Sequence, residues 1–160
     1  MLDQWLAALE ATQFARALGN SMLVYPLVNA GHIFGVALLV GSIVPLDLRL
    51  LSAWRSQPLA PLWHVLTRTA AVGLVLAILF GFLLFATRAT EYAASPLFLA
   101  KMAIVAAATA NALVLRVAFP RAVPDGRVNG AAPRPVCAAA AFSIIAWLAV
   151  LTLGRLVGYF

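Results

Sequence analysis

The chain has 160 residues, of which 64% are hydrophobic and only 10% are charged, and its formal net charge is +6 at pH 7. Ordinary soluble domains carry about 25% charged residues, so this composition excludes a soluble globular protein. The single cysteine, Cys137, excludes an intramolecular disulfide framework and any CxxC metal or redox motif.

The first predicted element is an amphipathic helix over about residues 2–18. Apolar residues recur there at the i, i+3, i+4, i+7 spacing of one helical face: Leu2, Trp5, Leu6 and Leu9. Asp3 and Glu10 occupy the region that would be basic in a cleavable signal peptide, so we do not predict one. Such a helix either lies in the membrane interface or caps the open end of a helix bundle, and both can hold at once.

Four apolar runs follow, and each is long enough to cross a bilayer, which takes about 20 apolar residues. In the first of them no charged residue occurs from Ala17 to Leu46. The predicted spans are, in chain order, about 22–46, 66–88, 96–119 and 135–158. We therefore predict an all-α membrane protein, with an antiparallel four-transmembrane-helix bundle and an interfacial N-terminal helix in a single membrane domain over residues 1–160.

Basic residues are distributed unevenly between the two ends of this predicted bundle. We call side A the end with the N-terminus, the 88–96 connection and the C-terminus, and side B the opposite end. Side A carries four basic residues: Arg16, Arg88, Lys101 and Arg155. Side B carries seven: Arg49, Arg55, Arg68, Arg116, Arg121, Arg127 and Arg134. The positive-inside rule then predicts that side B is cytoplasmic and that both termini are periplasmic.

Small residues recur four positions apart in these spans, a spacing that lets helix backbones approach closely in lipid. The sets are Gly31 with Gly35; Gly73, Ala77 and Gly81; Ala103 with Ala107; and Gly154 with Gly158. They predict a compact bundle, and they allow a homodimer or a larger membrane complex through whichever face is left outside. No aromatic residues interleave with the basic residues, so we predict lipid contact and no nucleic-acid binding.

Polar side chains within the first span define the candidate ligand site. Tyr25, Asn29 and His32 are spaced i, i+4, i+7 and share one helical face. Because a polar stripe facing lipid is expensive, we predict that this face points into the bundle near the side A surface. Residues of the third and fourth spans complete the predicted site: Lys101 and Arg155 at a comparable depth, and Asn111 deeper in the membrane.

Two interpretations of this site stay open. His32 is either a metal ligand, haem ligand or proton acceptor, or it bonds a backbone carbonyl or Asn29. Lys101 and Arg155 either supply positive charge for a propionate or a quinone oxygen, or extend to the interface. Met102 is the candidate second ligand of copper or of a b-type haem iron, because a soft thioether suits monovalent copper. His64 opens the second span on side B, too far away to share an iron with His32.

Asp47 and Arg49 close the first span on side B, and we predict that they form a topology anchor. Asp47 is placed to cap a helix or to pair with Arg68 or Arg116. The sequence contains no Ser-His-Asp set, paired carboxylates, HExxH motif or glycine-rich phosphate loop. We therefore predict that the protein is not an enzyme.

Several segments together resemble an uncharacterised family of small bacterial inner-membrane proteins, classed as a domain of unknown function. They are Trp5-Leu6, Leu9-Glu10-Ala11-Thr12, Tyr25-Pro26-Leu27-Val28, His32-x-x-Gly35-x-Ala37-Leu38-Leu39-x-Gly41-Ser42, Leu46-Asp47-Leu48-Arg49-Leu50-Leu51, Gly81-Phe82-Leu83-Leu84-Phe85, Ser95 through Lys101, Asn111-Ala112 and Gly154 through Phe160. The histidine and small-residue face of the first span are more distantly similar to the membrane domain of copper-resistance D proteins. The resemblance implies a four-helix bacterial inner-membrane protein associated with metal or redox functions. Some family members carry a histidine near the end of the third span, where this chain has Arg116.

Taken together, these features predict a non-catalytic integral membrane protein of the bacterial inner membrane. Its preferred role is a metal-handling or accessory subunit with a ligand site around His32 near the outer leaflet. One alternative is an electron-transfer subunit that binds b-type haem or quinone. The other is a purely structural subunit of a larger membrane complex, in which His32 is only hydrogen-bonded.

Overall fold

The computed structural model describes residues 1–54, 56–118 and 132–159. Within these ranges the chain is built from α-helices and contains no strand. The helices are α1 Leu2–Glu10, α2 Gln13–Gly19, α3 Val24–Leu50, α4 Leu59–Thr87, α5 Ala89–Ala94, α6 Pro96–Ala118 and α7 Arg134–Leu156. Four of them, α3, α4, α6 and α7, are long and apolar enough to cross a membrane. The predicted all-α, four-helix membrane architecture is therefore confirmed.

The N-terminal segment forms two helices, whereas a single helix was predicted over residues 2–18. Thr12 ends the first and caps the second, because its Oγ1 accepts a hydrogen bond from the Ala15 N–H at 3.2 Å. Helices α1 and α2 contact α4, and α1 also contacts α5, so both helices cover the side A end of the bundle. The side chains of Leu2 and Trp5 remain exposed. The segment covers the bundle end and leaves apolar side chains exposed, and its predicted position in the membrane interface stays a prediction.

The first two spans are longer than their apolar runs suggested. Helix α3 continues from the predicted end at residue 46 to Leu50, because Asp47 and Arg49 are buried within the helix. Helix α4 begins at Leu59 instead of residue 66, directly after the extended residue Pro58. The predicted end of the third span, at residue 119, lies outside the described residues. The start of the fourth span at Arg134 agrees with the prediction to one residue.

The four long helices form two antiparallel hairpins, α3–α4 and α6–α7, which join along α3 and α7. By contrast, the Cα atoms of α4 and α6 stay more than 8 Å apart throughout the described residues. Helix α5 bridges α4 and α6 at side A, where three aromatic rings pack together with centroids 5.3–6.3 Å apart: Phe85, Tyr92 and Phe98. The bundle is therefore closest on its α3 side and widest between α4 and α6.

The closest approach in the bundle brings α3 and α4 together at Gly35 and Gly73. A Cβ added to Gly35 would lie 2.6 Å from the Ala77 backbone nitrogen, and one added to Gly73 would lie 2.5 Å from the Leu39 nitrogen. Only glycine allows backbones to come this close. These contacts confirm that the Gly35 and Gly73 small-residue sets pack two helices, and Gly31 similarly lies against the Phe80 ring.

Two apolar clusters fill the interior, and all four long helices contribute to each of them. The cluster in the middle of the bundle consists of Leu39, Ala70, Ala108, Ala146, Trp147 and Val150. The cluster nearer side B consists of Leu46, Leu50, Leu59, Leu115, Val136 and Ala140. These side chains bridge the wider separation between α4 and α6. The polar groups of the candidate site lie nearer to side A than either cluster does.

Candidate ligand site at the side A end of the bundle

His32 lies on α3 and its imidazole ring is directed at α4. Its Nδ1 is 2.9 Å from the backbone carbonyl oxygen of Ala77. Because a carbonyl only accepts, Nδ1 donates this hydrogen bond, and a neutral ring then keeps Nε2 as an acceptor. Gly81 makes room for the ring, since a Cβ at that position would lie 3.0 Å from His32 Cε1. The α3–α4 contact therefore fixes both the orientation and the tautomer of the neutral histidine.

Lys101 is a charged side chain near the same end of the bundle as His32. It is half-buried on α6, and its Nζ would lie 3.6 Å from a Cβ on Gly154 of α7. Because Gly154 has no side chain, the ammonium group has room beside α7. The Cα atoms of α3 and α6 stay more than 8 Å apart in the described residues, so a common site of His32 and Lys101 stays a prediction.

Asn29 and Tyr25 do not form an inward-facing stripe with His32. Asn29 is exposed, which contradicts its predicted interior position. The reason is that α3 packs through a face centred on Val28 and Gly35, and Asn29 lies beyond the edge of that face. Tyr25 is half-buried, and it lines a separate cavity at the end of the bundle.

The other predicted site residues point elsewhere. Arg155 is exposed; its Nη2 donates to the Tyr159 hydroxyl at 2.5 Å, and its guanidinium lies 4.7 Å from the centre of that ring. Met102 is 43% exposed on the outer surface of α6. Asn111 donates to the Ala139 carbonyl at 3.1 Å and so links α6 to α7. These three residues therefore make no contact that assigns them to a site with His32.

Metal-ligating side chains do not gather around His32. Within the described residues no group of three or more His, Cys, Asp or Glu side chains is placed to hold a metal ion. His64 is exposed at the side B end of α4, in agreement with its exclusion as a partner of His32. The arrangement offers one oriented imidazole and one ammonium group, which suit a ligand bearing oxygen atoms.

Asp47 and Arg49 are both buried at the side B end of α3, where they were predicted to anchor the helix. Arg49 donates from Nε to the Gln57 carbonyl at 2.9 Å, which ties the end of α3 to the connection before α4. Asp47 faces the Ser143 hydroxyl of α7, and its Oδ2 has no hydrogen-bond partner among the described residues. In the part of the chain that the structure describes, no ion pair joins Asp47 to Arg68 or Arg116, because both arginines are exposed.

A polar cavity at side A was missed by sequence reasoning. It has a volume of about 410 Å³, and its lining comprises Glu10, Ala15, Arg16, Gly19, Asn20, Tyr25, Thr87 and Arg88. Glu10 Oε1 accepts hydrogen bonds from the Thr90 N–H at 2.9 Å and from its Oγ1 at 2.8 Å. Burial raises the pKa of the neighbouring Tyr92 phenol, which keeps it protonated. The only sequence signal was that Arg16 and Arg88 share side A.

The described residues define an integral, multi-pass α-helical membrane protein, because four helices have the length and apolar character of membrane spans. No family model matches the chain, and neither the curated proteins nor the solved structures contain a match. Its role is therefore inferred from the geometry of the bundle itself.

Proposed function

We propose that the protein is a non-catalytic accessory subunit of an electron-transfer complex in the membrane, and that His32 and Lys101 bind the head of a quinone-type ligand. The observation that carries the proposal is the orientation of the His32 ring by the Ala77 carbonyl, with the half-buried Lys101 near the same end of the bundle on α6. A quinol hydroxyl can donate to His32 Nε2, while Lys101 can donate to a ring oxygen. The apolar tail of such a ligand suits the surrounding bilayer.

The outward surface of α6 supports the accessory role. The small residues Ala103 and Ala107 lie on an exposed face of α6, where helix backbones from another subunit can approach closely. Few residues of α6 are buried within the bundle. A homodimer or a larger complex would form through this face of α6. In the absence of such a partner, lipid covers the face.

Metal handling is the second candidate, and one observation favours it. Metal-ligating histidines usually donate their other ring N–H to a carbonyl or a carboxylate, as His32 does to Ala77. The resemblance to the copper-resistance D membrane domain supports the same role. The positive charge of Lys101 at the same end of the bundle disfavours metal handling, because an ammonium group repels a copper ion or a haem iron. Met102, the proposed second ligand, is 43% exposed.

Quinone retention in purified protein tests the first candidate. We expect protein extracted with its native lipids to retain about one quinone per chain, measured by solvent extraction and chromatography. Lys101→Met should lower this retention at least tenfold, since a lost charge-assisted hydrogen bond is worth about 1.5–3 kcal/mol. His32→Ala should do the same, whereas His64→Ala should retain the quinone, because His64 is exposed on side B.

Three results would overturn the quinone assignment. One is wild-type protein free of quinone, and another is Lys101→Met protein that elutes normally and keeps its quinone. The third is wild-type protein that shows either a Soret band or stoichiometric copper by elemental analysis, with the signal lost in His32→Ala. This result would establish the metal or haem candidate instead.

We further propose that the protein resides in a bacterial inner membrane with both termini in the periplasm. The support is the excess of arginine residues on side B, seven basic residues against four. A C-terminal alkaline phosphatase fusion is expected to be active and a C-terminal green fluorescent protein fusion to be dark. The opposite pair of results would invert the orientation, and fusions placed at the N-terminus provide the matched control.

A further inference from the structure

We propose that the side A cavity is a phosphate site that holds the head group of an anionic phospholipid from the surrounding bilayer. This site is separate from His32 and Lys101, and it does not depend on the role proposed for them. Its volume of about 410 Å³ lies in the range of small-molecule pockets. Helix α2, the start of α3 and the end of α4 enclose it.

Two arginines give the cavity its preference for an anion. Arg16 forms no ion pair within the described residues. Arg88 pairs with Glu91 at 3.4 Å, but both side chains are more than 60% exposed, so this pair is weak and a phosphate can compete for the guanidinium. Arginine presents several donors in a planar fork that matches phosphate oxygens.

The acidic residue in the lining does not cancel this preference. Glu10 directs Oε1 at the Thr90 N–H and hydroxyl, so its carboxylate is engaged by the start of α5. Asn20 and Tyr25 add neutral polar groups that can bond phosphate or glycerol oxygens. The lining residues Ala15 and Gly19 are small and leave the space open.

The apolar surface beside the cavity favours a lipid over a soluble anion. Leu23, the residue before α3, and Leu27 of α3 are 77% and 69% exposed, and they lie on either side of Tyr25 in the chain. Phe14 of α2 is 61% exposed on the other side of Arg16. A phosphate held by the arginines would place its acyl chains along these side chains. Inorganic phosphate would use only the polar half of this arrangement.

Native mass spectrometry of protein released from lipid nanodiscs tests the proposal. In phosphatidylglycerol nanodiscs we expect one lipid to stay bound per chain, and in phosphatidylcholine nanodiscs we expect at least tenfold less retention. Arg16→Gln and Arg88→Gln should each lower phosphatidylglycerol retention about tenfold, the effect of losing one charge-assisted contact. Arg68→Gln is the matched control, because it removes one exposed arginine from the side B half of α4.

Three outcomes would overturn the proposal. Equal retention of the two lipids would remove the role of the phosphate charge. An equal loss in Arg68→Gln and Arg16→Gln would show that only the overall surface charge matters. Displacement of the lipid by millimolar inorganic phosphate, with the same dependence on Arg16, would assign the cavity to a soluble anion. Size-exclusion elution matching wild type shows that each variant is folded.

Discussion

Replacing Gly73 by alanine is expected to separate α3 from α4 and to destabilise the bundle by about 2–3 kcal/mol. The added Cβ would lie 2.5 Å from the Leu39 nitrogen and 2.7 Å from the Gly35 carbonyl oxygen. Both are backbone atoms, so no side-chain rotation can relieve the clash. The helices must move apart, which also stretches the His32–Ala77 hydrogen bond. Thermal unfolding in detergent, followed by size-exclusion chromatography, measures the loss.

Gly41→Ala is the matched control on α3. A Cβ at Gly41 meets no atom within 4 Å, and alanine is a better residue than glycine inside a helix by about 0.5–1 kcal/mol. The control variant should therefore unfold at the same temperature as wild type or slightly higher. If Gly73→Ala proved as stable as Gly41→Ala, the close α3–α4 contact would not contribute to stability as argued.

Replacing Trp147 by alanine is expected to cost roughly 2–3 kcal/mol of unfolding free energy. The indole is only 3% exposed and fills the cluster in the middle of the bundle. The expected loss is smaller than the 3–5 kcal/mol typical of soluble cores, because an unpacked tryptophan in a membrane meets lipid and not water. Most of this cost is the loss of packing contacts around the space that the indole would leave empty. Unfolding measured in bicelles gives the value.

Trp147→Phe separates packing from hydrogen bonding at the same position. The Trp147 Nε1 has no hydrogen-bond partner within the described residues, and an unpaired buried donor costs about 1–3 kcal/mol. Phenylalanine removes this donor and keeps most of the ring, so the variant should lie within about 1 kcal/mol of wild type. A loss as large as that of Trp147→Ala would mean that the indole nitrogen is bonded in the membrane.

The number and type of the long helices were predictable because a membrane span depends on one local property, an uncharged run of apolar residues. A run of apolar residues without charge satisfies its backbone only as a helix in lipid, whatever its neighbours do. Helix ends were less predictable where tertiary burial overrides hydropathy, as for Asp47 and Arg49 at the end of α3. The break at Thr12 was missed because the apolar spacing runs across it, and the capping hydroxyl outweighs that continuity.

The depth of the candidate site residues in the membrane was predictable, but the side of the helix on which each of them lies was not. Counting residues along the helices placed His32 and Lys101 at one level, and the structure places both near the side A end of the bundle. The same counting could not tell which side of each helix faces inward. Asn29, Met102 and Arg155 share that level but are exposed, because the packing face of each helix is selected by glycine and alanine contacts between helices.

The side A cavity needs residues far apart in the chain and was therefore invisible to local reasoning. Its arginines come from α2 and from the end of α4, more than seventy residues apart. No motif links them. They meet only because α2 packs across the end of α4, where a Cβ on Gly19 would contact Thr87 at 3.6 Å.

The bond between Glu10 and Thr90 also sets an order of events during synthesis. Residues 10 and 90 are separated by two complete membrane crossings, α3 and α4. Helix α2 contacts both α3 and α4, whereas the only long helix that α1 contacts among the described residues is α4. Helix α1 can therefore dock only after α4 has been made. The hydrogen bonds from Thr90 to Glu10 can form only after residue 90 has also been made.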